Sequence, residues 1–394
     1  MSDASVVIWG AGRIGRGFAA DLFHAAGYHL VLVDQSAELV DRLRRARRFT
    51  VVRAEDAAHR VDQIITTYTA LATSQVEEVA AAVAAADSLA LAVFPQVFPG
   101  VAGQLIPGLR RRQAERPEAA LDIILCTNLA HAAARFEQAL QAALPADLHE
   151  YASRRVGLVE SLVMRMVADP PAELQQAEPL LVWTNGFGEF PVDRHAFKGS
   201  PPALPGLRLV EDMRAEETRK LYTYNMCHAV LAYQGARRGH VRTVDCLADP
   251  QVRAEAEGAL AEVSRALELE YGFLASDMAR WNERVLRQTD NPTLGDTVAR
   301  HGADPRRKLK RADRLVGPAL LARKHGVCPL HLLRAIAAAL VFRNPADPGA
   351  VYVQERIAAA GLAAAVRELC ELAAAEEDLV AAIEENVRLL VSPR

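Results

Sequence analysis

Residues 5–34 read SVVIWGAGRIGRGFAADLFHAAGYHLVLVD. The run from Ser5 to Trp9 is apolar, rich in β-branched residues and closed by Gly10. Beyond the glycines, Ile14, Phe18, Leu22 and Phe23 recur at the spacing of one helix face. HLVLVD is a second apolar run, closed by Asp34. Strand, glycine turn, helix and strand follow one another within thirty residues. That order demands a parallel strand pair joined by a crossing helix.

The same alternation continues downstream. FTVVR, SLALAVF and LDIILC are further candidate strands, and QVEEVAAAVAAA and AHAAARFEQALQAAL are helical stretches between them. Such a pattern builds a parallel sheet covered on both faces. It fades after about residue 190. FKGSPPALPGLRL, rich in proline and glycine, is the best candidate linker. From about Met213 to Leu390 the chain reads as helix, with turns at DNPTLG, HGADP and RNPADPG. The expected architecture is α/β: a doubly wound Rossmann-type domain over residues 1–195, then an all-helical domain over residues 196–394.

Composition removes several classes of function. The 394 residues are 51% hydrophobic and 24% charged, and 46 basic against 49 acidic residues leave a net charge of -3. That balance gives no case for a nucleic-acid or membrane partner. No apolar run approaches the roughly 20 residues of a bilayer span. Cys126, Cys227, Cys246, Cys328 and Cys370 are scattered, with no CxxC pair, so neither a disulfide framework nor a structural zinc site is expected. A reducing cytoplasm fits best.

Gly10, Gly12 and Gly15 form G-A-G-R-I-G between a strand and a helix, and Asp34 ends the next strand. The first glycine allows the tight turn and the second lets backbone approach a pyrophosphate. The third allows close helix–strand packing. The helix N-terminus offers free N–H groups to phosphates. Asp34 would accept from both adenosine ribose hydroxyls and repel a 2′-phosphate, which favours NAD over NADP. Arg13, Ile14 and Arg16 adjoin the turn, and the two arginines could contact phosphate as exposed helix residues.

A second constellation lies in RKLYTYNMCH, Arg219 to His228. Lys220, Asn225 and His228 interrupt an apolar helix. At about 100° per residue they share an arc of roughly 140° along about 12 Å of axis. Oxidation of an alcohol needs a base for the hydroxyl proton and donors for the developing alkoxide. A lysine can be that base if burial or nearby positive charge lowers its pKa. An asparagine can donate to the oxygen, and a histidine can orient the hydroxyl or tune the lysine. No metal is required.

K-x4-N-x2-H, as Lys220, Asn225 and His228, resembles the signature of the polyol-specific long-chain dehydrogenases. GAGRIGRGF, VGLVESLVMR, FKGSPPALPG, KLYTYNMCHAVLAYQG, DNPTLGDTVARHGADPRRKLKRADRLVGP and IAAALVFRNPADP resemble its mannitol-1-phosphate 5-dehydrogenase branch, in order and over nearly the whole chain. The resemblance implies zinc-independent, NAD-dependent interconversion of a sugar alcohol, or its phosphate, and the ketose form. It implies Lys220 as base, and an oxyanion hole of Asn225 and Asn128. By itself Asn128, in CTNLA, would read as a helix N-cap or turn residue. It also implies that Arg300 and Lys308 face the substrate. Arg307 and Arg314 are further candidates for a phosphate, and mannitol 1-phosphate with fructose 6-phosphate is the first expected pair.

Three positions depart from the family pattern. Thr127 stands where an acid commonly precedes the asparagine, Met164 where an aspartate is common, and Ala303 where a basic residue is expected. They leave open another polyol, a uronate or a cyclitol, phosphorylated or not, and a non-catalytic NAD-binding protein. The basic run RRKLKR is short and contains no aromatic, which argues against nucleic-acid binding.

Overall fold

The structure, a computed structural model, describes residues 4–391 except 128 and 130. The chain forms two compact units, Met1–Glu216 and Glu217–Arg394.

In the first unit the strands, in chain order, are β1 (Ser5–Trp9), β2 (His29–Asp34), β3 (Phe49–Ala54), β4 (Arg60–Ile65), β5 (Tyr68–Ala72), β6 (Ser88–Leu91), β7 (Leu121–Leu125), β8 (Val156–Glu160), β9 (Val167–Ala168), β10 (Val182–Thr184), β11 (Phe190–Asp193) and β12 (Leu207–Val210). The main sheet has the order β5-β2-β1-β6-β7-β8, with every pairing parallel. The chain winds outward from β1 in one direction and then, from β6, in the other. The carboxyl ends of β1 and β6 therefore flank the crevice where open α/β sheets hold ligands.

Burial follows the two-residue period of a strand. Val6 and Ile8 pack on one face with Phe18, Phe23 and Leu32. Val7 and Trp9 pack on the other with Leu91, Phe98 and Phe136. Both faces are covered, as the alternating pattern predicts.

Two features differ from the expectation. FTVVR is a strand, β3, but it belongs to a separate sheet of order β4-β3-β10-β9. Periodicity reports a half-buried or buried strand; it does not report which sheet receives it. The proline- and glycine-rich segment is not a link between the units. β11 and β12, on either side of it, pair in parallel, Phe190 with Leu207 through Asp193 with Val210, so the segment is a loop of the first unit. The compact units divide at Glu216/Glu217, beyond the 195/196 boundary.

All the named elements of the second unit are helices. Its axis is the helix Met226–Arg237, in which Met226, Cys227 and Ala229 to Gly235 are all buried. A helix apolar on every side belongs in a core, and Pro250–Tyr271, Val298–Gly302 and Leu330–Val341 pack around it. The helix Pro250–Tyr271 starts at an Asp249 side-chain cap and stops at Gly272, φ +74°. No described helix is long and apolar enough to cross a membrane.

Candidate active site

The glycine turn is built by exclusion. Gly10 has φ +95°, and a Cβ there would also strike the Ala92 carbonyl oxygen. A Cβ on Gly15 would collide with the carbonyl oxygen of Gly10. A Cβ on Gly12, by contrast, would meet nothing within 4 Å. Gly12 thus leaves open space at the head of the helix, where a phosphate needs it. The helix opens at Arg13 and Ile14, widens into a π-helical turn over Gly15–Ala20 and continues as Asp21–Ala25.

Asp34 ties this turn to the end of β2. One carboxylate oxygen accepts from the Ala11 amide at 2.8 Å and the other from the Ser36 amide at 2.8 Å. A carboxylate offers about four acceptor positions, so capacity for ribose hydroxyls remains. Arg13 is exposed and forms an ion pair with Asp169. Arg16 corrects the expectation of an exposed phosphate contact. It is 7% exposed, donates to the Ala11 carbonyl at 2.8 Å and to that of Leu180, and lies over the Phe49 ring. Burial pushes its guanidinium down to about 10. Arg16 holds the loop from beneath.

A cleft of about 460 Å³ opens at this turn, lined by Gly12, Arg13, Ile14, Phe94, Thr127 and Val163, among others. It lies at the carboxyl ends of β1, β6 and β7. Cys126 in its wall has a thiol pushed up to about 12 by burial, so it acts as an apolar surface. Phe94, on the lip, is 80% exposed. The apolar run SLALAVF continues past the buried strand to this residue, and that overrun was the only sequence signal for it.

Beneath the turn, Asp21 is fully buried between two arginines. Arg53 donates to its two oxygens at 2.8 and 2.6 Å, and Arg165 forms a buried ion pair with it. Arg165 also donates to the carbonyls of Gly17 and Phe187. Met164, beside it, is 5% exposed. Asn128 lies outside the described residues.

In the second unit, Lys220 ends the helix Met213–Lys220, a π-helical turn covers Leu221–Asn225, and Met226–Arg237 continues. The Met226 amide reaches back five residues to the Leu221 carbonyl. In such a turn more residues make one circuit, so residues five apart lie nearer a common line than in an α-helix. Lys220 and Asn225 are five apart, so they align more closely than the about 140° an α-helix would set between them.

The Lys220 amine is pushed down to about 8, first by burial and then by the positive charge of Arg314, against a smaller opposing pull from Glu217. His228 is held well below its ordinary value, chiefly by burial, then by His301, Arg314 and Arg300. Its ring stacks on that of His301, centroids 4.2 Å apart and planes 14° from parallel. His301 comes from a different helix, so no spacing in the sequence announced it. Lys308 is 4% exposed, donates to the Ala303 carbonyl, and is pushed down to about 8 by burial and by Arg314 and Arg307.

Arg314 is therefore the charge common to Lys220, His228 and Lys308. Its guanidinium is held by Asp313 at 2.8 Å. Arg300 is paired with Asp296, and Arg307 with Asp304 and Asp313. The remainder of RRKLKR points elsewhere: Arg311 is paired with Glu376, and Arg306 lies over the Tyr352 ring.

The sequence matches the mannitol dehydrogenase Rossmann domain over residues 4–206 and the mannitol dehydrogenase C-terminal domain over residues 212–389. The fold is similar to that of Pseudomonas fluorescens mannitol 2-dehydrogenase, solved as a ternary complex with NAD and D-mannitol (17% identity, 99% of this chain and 92% of that one covered, TM-score 0.72). It is also similar to that of a D-sorbitol dehydrogenase solved in substrate-free form (16% identity, 99% and 96% covered, TM-score 0.83). The chain belongs to the mannitol dehydrogenase family of polyol dehydrogenases.

Proposed function

We propose that this chain is an NAD-dependent, metal-independent dehydrogenase that interconverts a hexitol phosphate and a ketose phosphate, with mannitol 1-phosphate and fructose 6-phosphate as the first pair. The observation that carries this reading is the Lys220 amine, lowered to about 8 inside a helix that also bears Asn225 and His228. NAD is supported by the family and by the Asp34 carboxylate beside the glycine turn. Gly10, Gly12, Arg13, Ile14, Gly15 and Asp34 would hold it.

NAD held there would supply the acceptor for the hydride of the carbinol carbon. Neutral Lys220 accepts the hydroxyl proton as that hydride leaves. Asn225 donates a carboxamide N–H to the oxygen as it gains charge, and Asn128 is the second donor on the family pattern. His228, kept neutral by its surroundings, orients the hydroxyl. Arg300, Lys308, Arg307 and Arg314 bind the remaining oxygens and the phosphate.

One observation favours a second reading, the same chemistry on an unphosphorylated polyol. Arg300, Arg307 and Arg314 each already have a carboxylate partner that offsets part of the charge a phosphate would meet. Sugar alcohols and their phosphates, compared by kcat/KM for NADH formation, decide between the two. Preference for the free polyols would replace the first reading with the second. Lys220→Ala should lose roughly 10²–10⁴ in kcat and still bind NADH. Full activity in that variant would remove the base assignment, and tight NADH binding without turnover on any polyol would indicate a non-catalytic protein.

A further inference from the structure

The wide turn between Lys220 and Asn225 has a specific anchor. Thr223 lies inside it and is fully buried. Its hydroxyl donates to the Arg219 carbonyl at 2.5 Å. In an α-helix that carbonyl belongs to the amide of residue 223, so the side chain competes with the regular backbone bond. Threonines bonded four residues back in this way loosen and bend helices. The same oxygen accepts the indole N–H of Trp281 at 2.8 Å.

Trp281 is itself fully buried and comes from another helix, Ala275–Thr289. It grips the turn at three points. Besides Thr223, the Arg219 guanidinium lies 3.8 Å from its ring centroid, and the Tyr224 ring meets it edge-on at 5.4 Å. Residues 219, 223 and 224 thus bracket Lys220, and all are fastened to one indole. The hydroxyl's two bonds explain why a polar group is buried at this position rather than a valine of the same shape.

We propose that Thr223 is a positioning residue, whose hydroxyl, fixed by the Trp281 indole, keeps the Leu221–Asn225 turn wide and so keeps the Lys220 amine and the Asn225 carboxamide in line. Without it the turn tightens toward α-helix and Asn225 swings away from Lys220. The inference rests on Lys220 and Asn225 acting on the substrate as described above.

The test uses the full-length chain. Thr223→Val deletes the hydroxyl and keeps the shape; Thr223→Ser keeps the hydroxyl. Thr223→Val should lower kcat roughly tenfold to hundredfold, the scale of a misplaced catalytic group. KM and the Kd for NADH should stay within about twofold, since uniform binding is untouched. Thr223→Ser should return kcat to within about threefold of the wild type. A folded Thr223→Val enzyme with unchanged kcat would overturn the proposal, as would Thr223→Ser failing as badly as Thr223→Val. If Thr223→Val does not fold, Trp281→Phe, which removes only the indole N–H donor and part of the ring, decides. A selective fall in kcat supports the proposal, and an unchanged kcat ends it. Lys220→Ala separates the two levels. If it is fully active, the catalytic reading falls and this inference with it. If it is inactive while Thr223→Val is unimpaired, this inference falls alone.

Discussion

A lysine amine in water stays protonated to above pH 10, whereas burial and Arg314 bring Lys220 to about 8. For alcohol oxidation the amine must be neutral when the substrate arrives. The kcat for oxidation should therefore rise with pH and level off above about 8. Ketone reduction needs the ammonium and should fall through the same midpoint. Arg314→Gln removes a charge that opposes protonation of Lys220, so the midpoint should move to higher pH. A midpoint unmoved in that variant would show that Arg314 does not tune the base. Lys220, Asn225 and His228 stood out in the sequence as three polar types on one apolar helix, while their proposed roles came from the family resemblance and not from their spacing. The burial of Arg16 was not, because it depends on the Leu180 carbonyl, far along the chain. Nor was the stacking of His301 on His228, which only tertiary packing brings together.

At the scale of elements, both candidate sites carry a π-helical turn: Gly15–Ala20 at the glycine loop and Leu221–Asn225 at the polar strip. Such turns concentrate at functional sites because they re-aim side chains or backbone N–H groups. No hydrophobic period distinguishes one from an α-helix over five or six residues, so they were invisible in the sequence. The glycines were visible, and their roles separate experimentally. Gly12→Ala adds a methyl to open space, so the fold should be unharmed or gain up to about 1 kcal/mol. NADH should nevertheless bind at least roughly tenfold more weakly, since that space is where the pyrophosphate must approach. Gly15→Ala drives a methyl into the Gly10 carbonyl and should cost stability, roughly 1–3 kcal/mol, as well as cofactor affinity. Thermal melts with NADH titrations check both. Equal stability loss in the two variants would contradict this division of roles. Among strands, the apolar runs that became β1, β2, β3, β6 and β7 were legible. β4, β5 and β8 to β12 were not: β4 alternates with exposed polar residues, and β8 follows a helix without a turn residue between.

At the scale of the molecule, alternation of strand and helix followed by unbroken helix was enough to foresee a doubly wound unit and then a helical one. What the pattern could not convey is how the first unit joins its two larger sheets. That task falls to Asp21, in the helix after the glycine turn, with Arg53 on β3 of the smaller sheet and Arg165. A single buried carboxylate satisfies two guanidinium groups, one of them also fully enclosed. Burial lowers the pKa of Arg165 while Asp21 opposes that shift, so the carboxylate compensates the enclosed cation. Asp21→Ala would leave Arg165 as an uncompensated buried cation. Breaking a buried pair from one side costs about 3–5 kcal/mol. Urea unfolding followed by tryptophan fluorescence should show that loss. Because the glycine helix stands on this carboxylate, NADH affinity should fall in the same variant, and saturating NADH should recover part of the lost stability by mass action. A loss below about 1 kcal/mol would mean that water or another acceptor replaces the carboxylate. The two sheets would then be joined by apolar packing, with Phe18 and Phe23 of the glycine helix sharing one buried cluster with Phe49 and Val51 of β3.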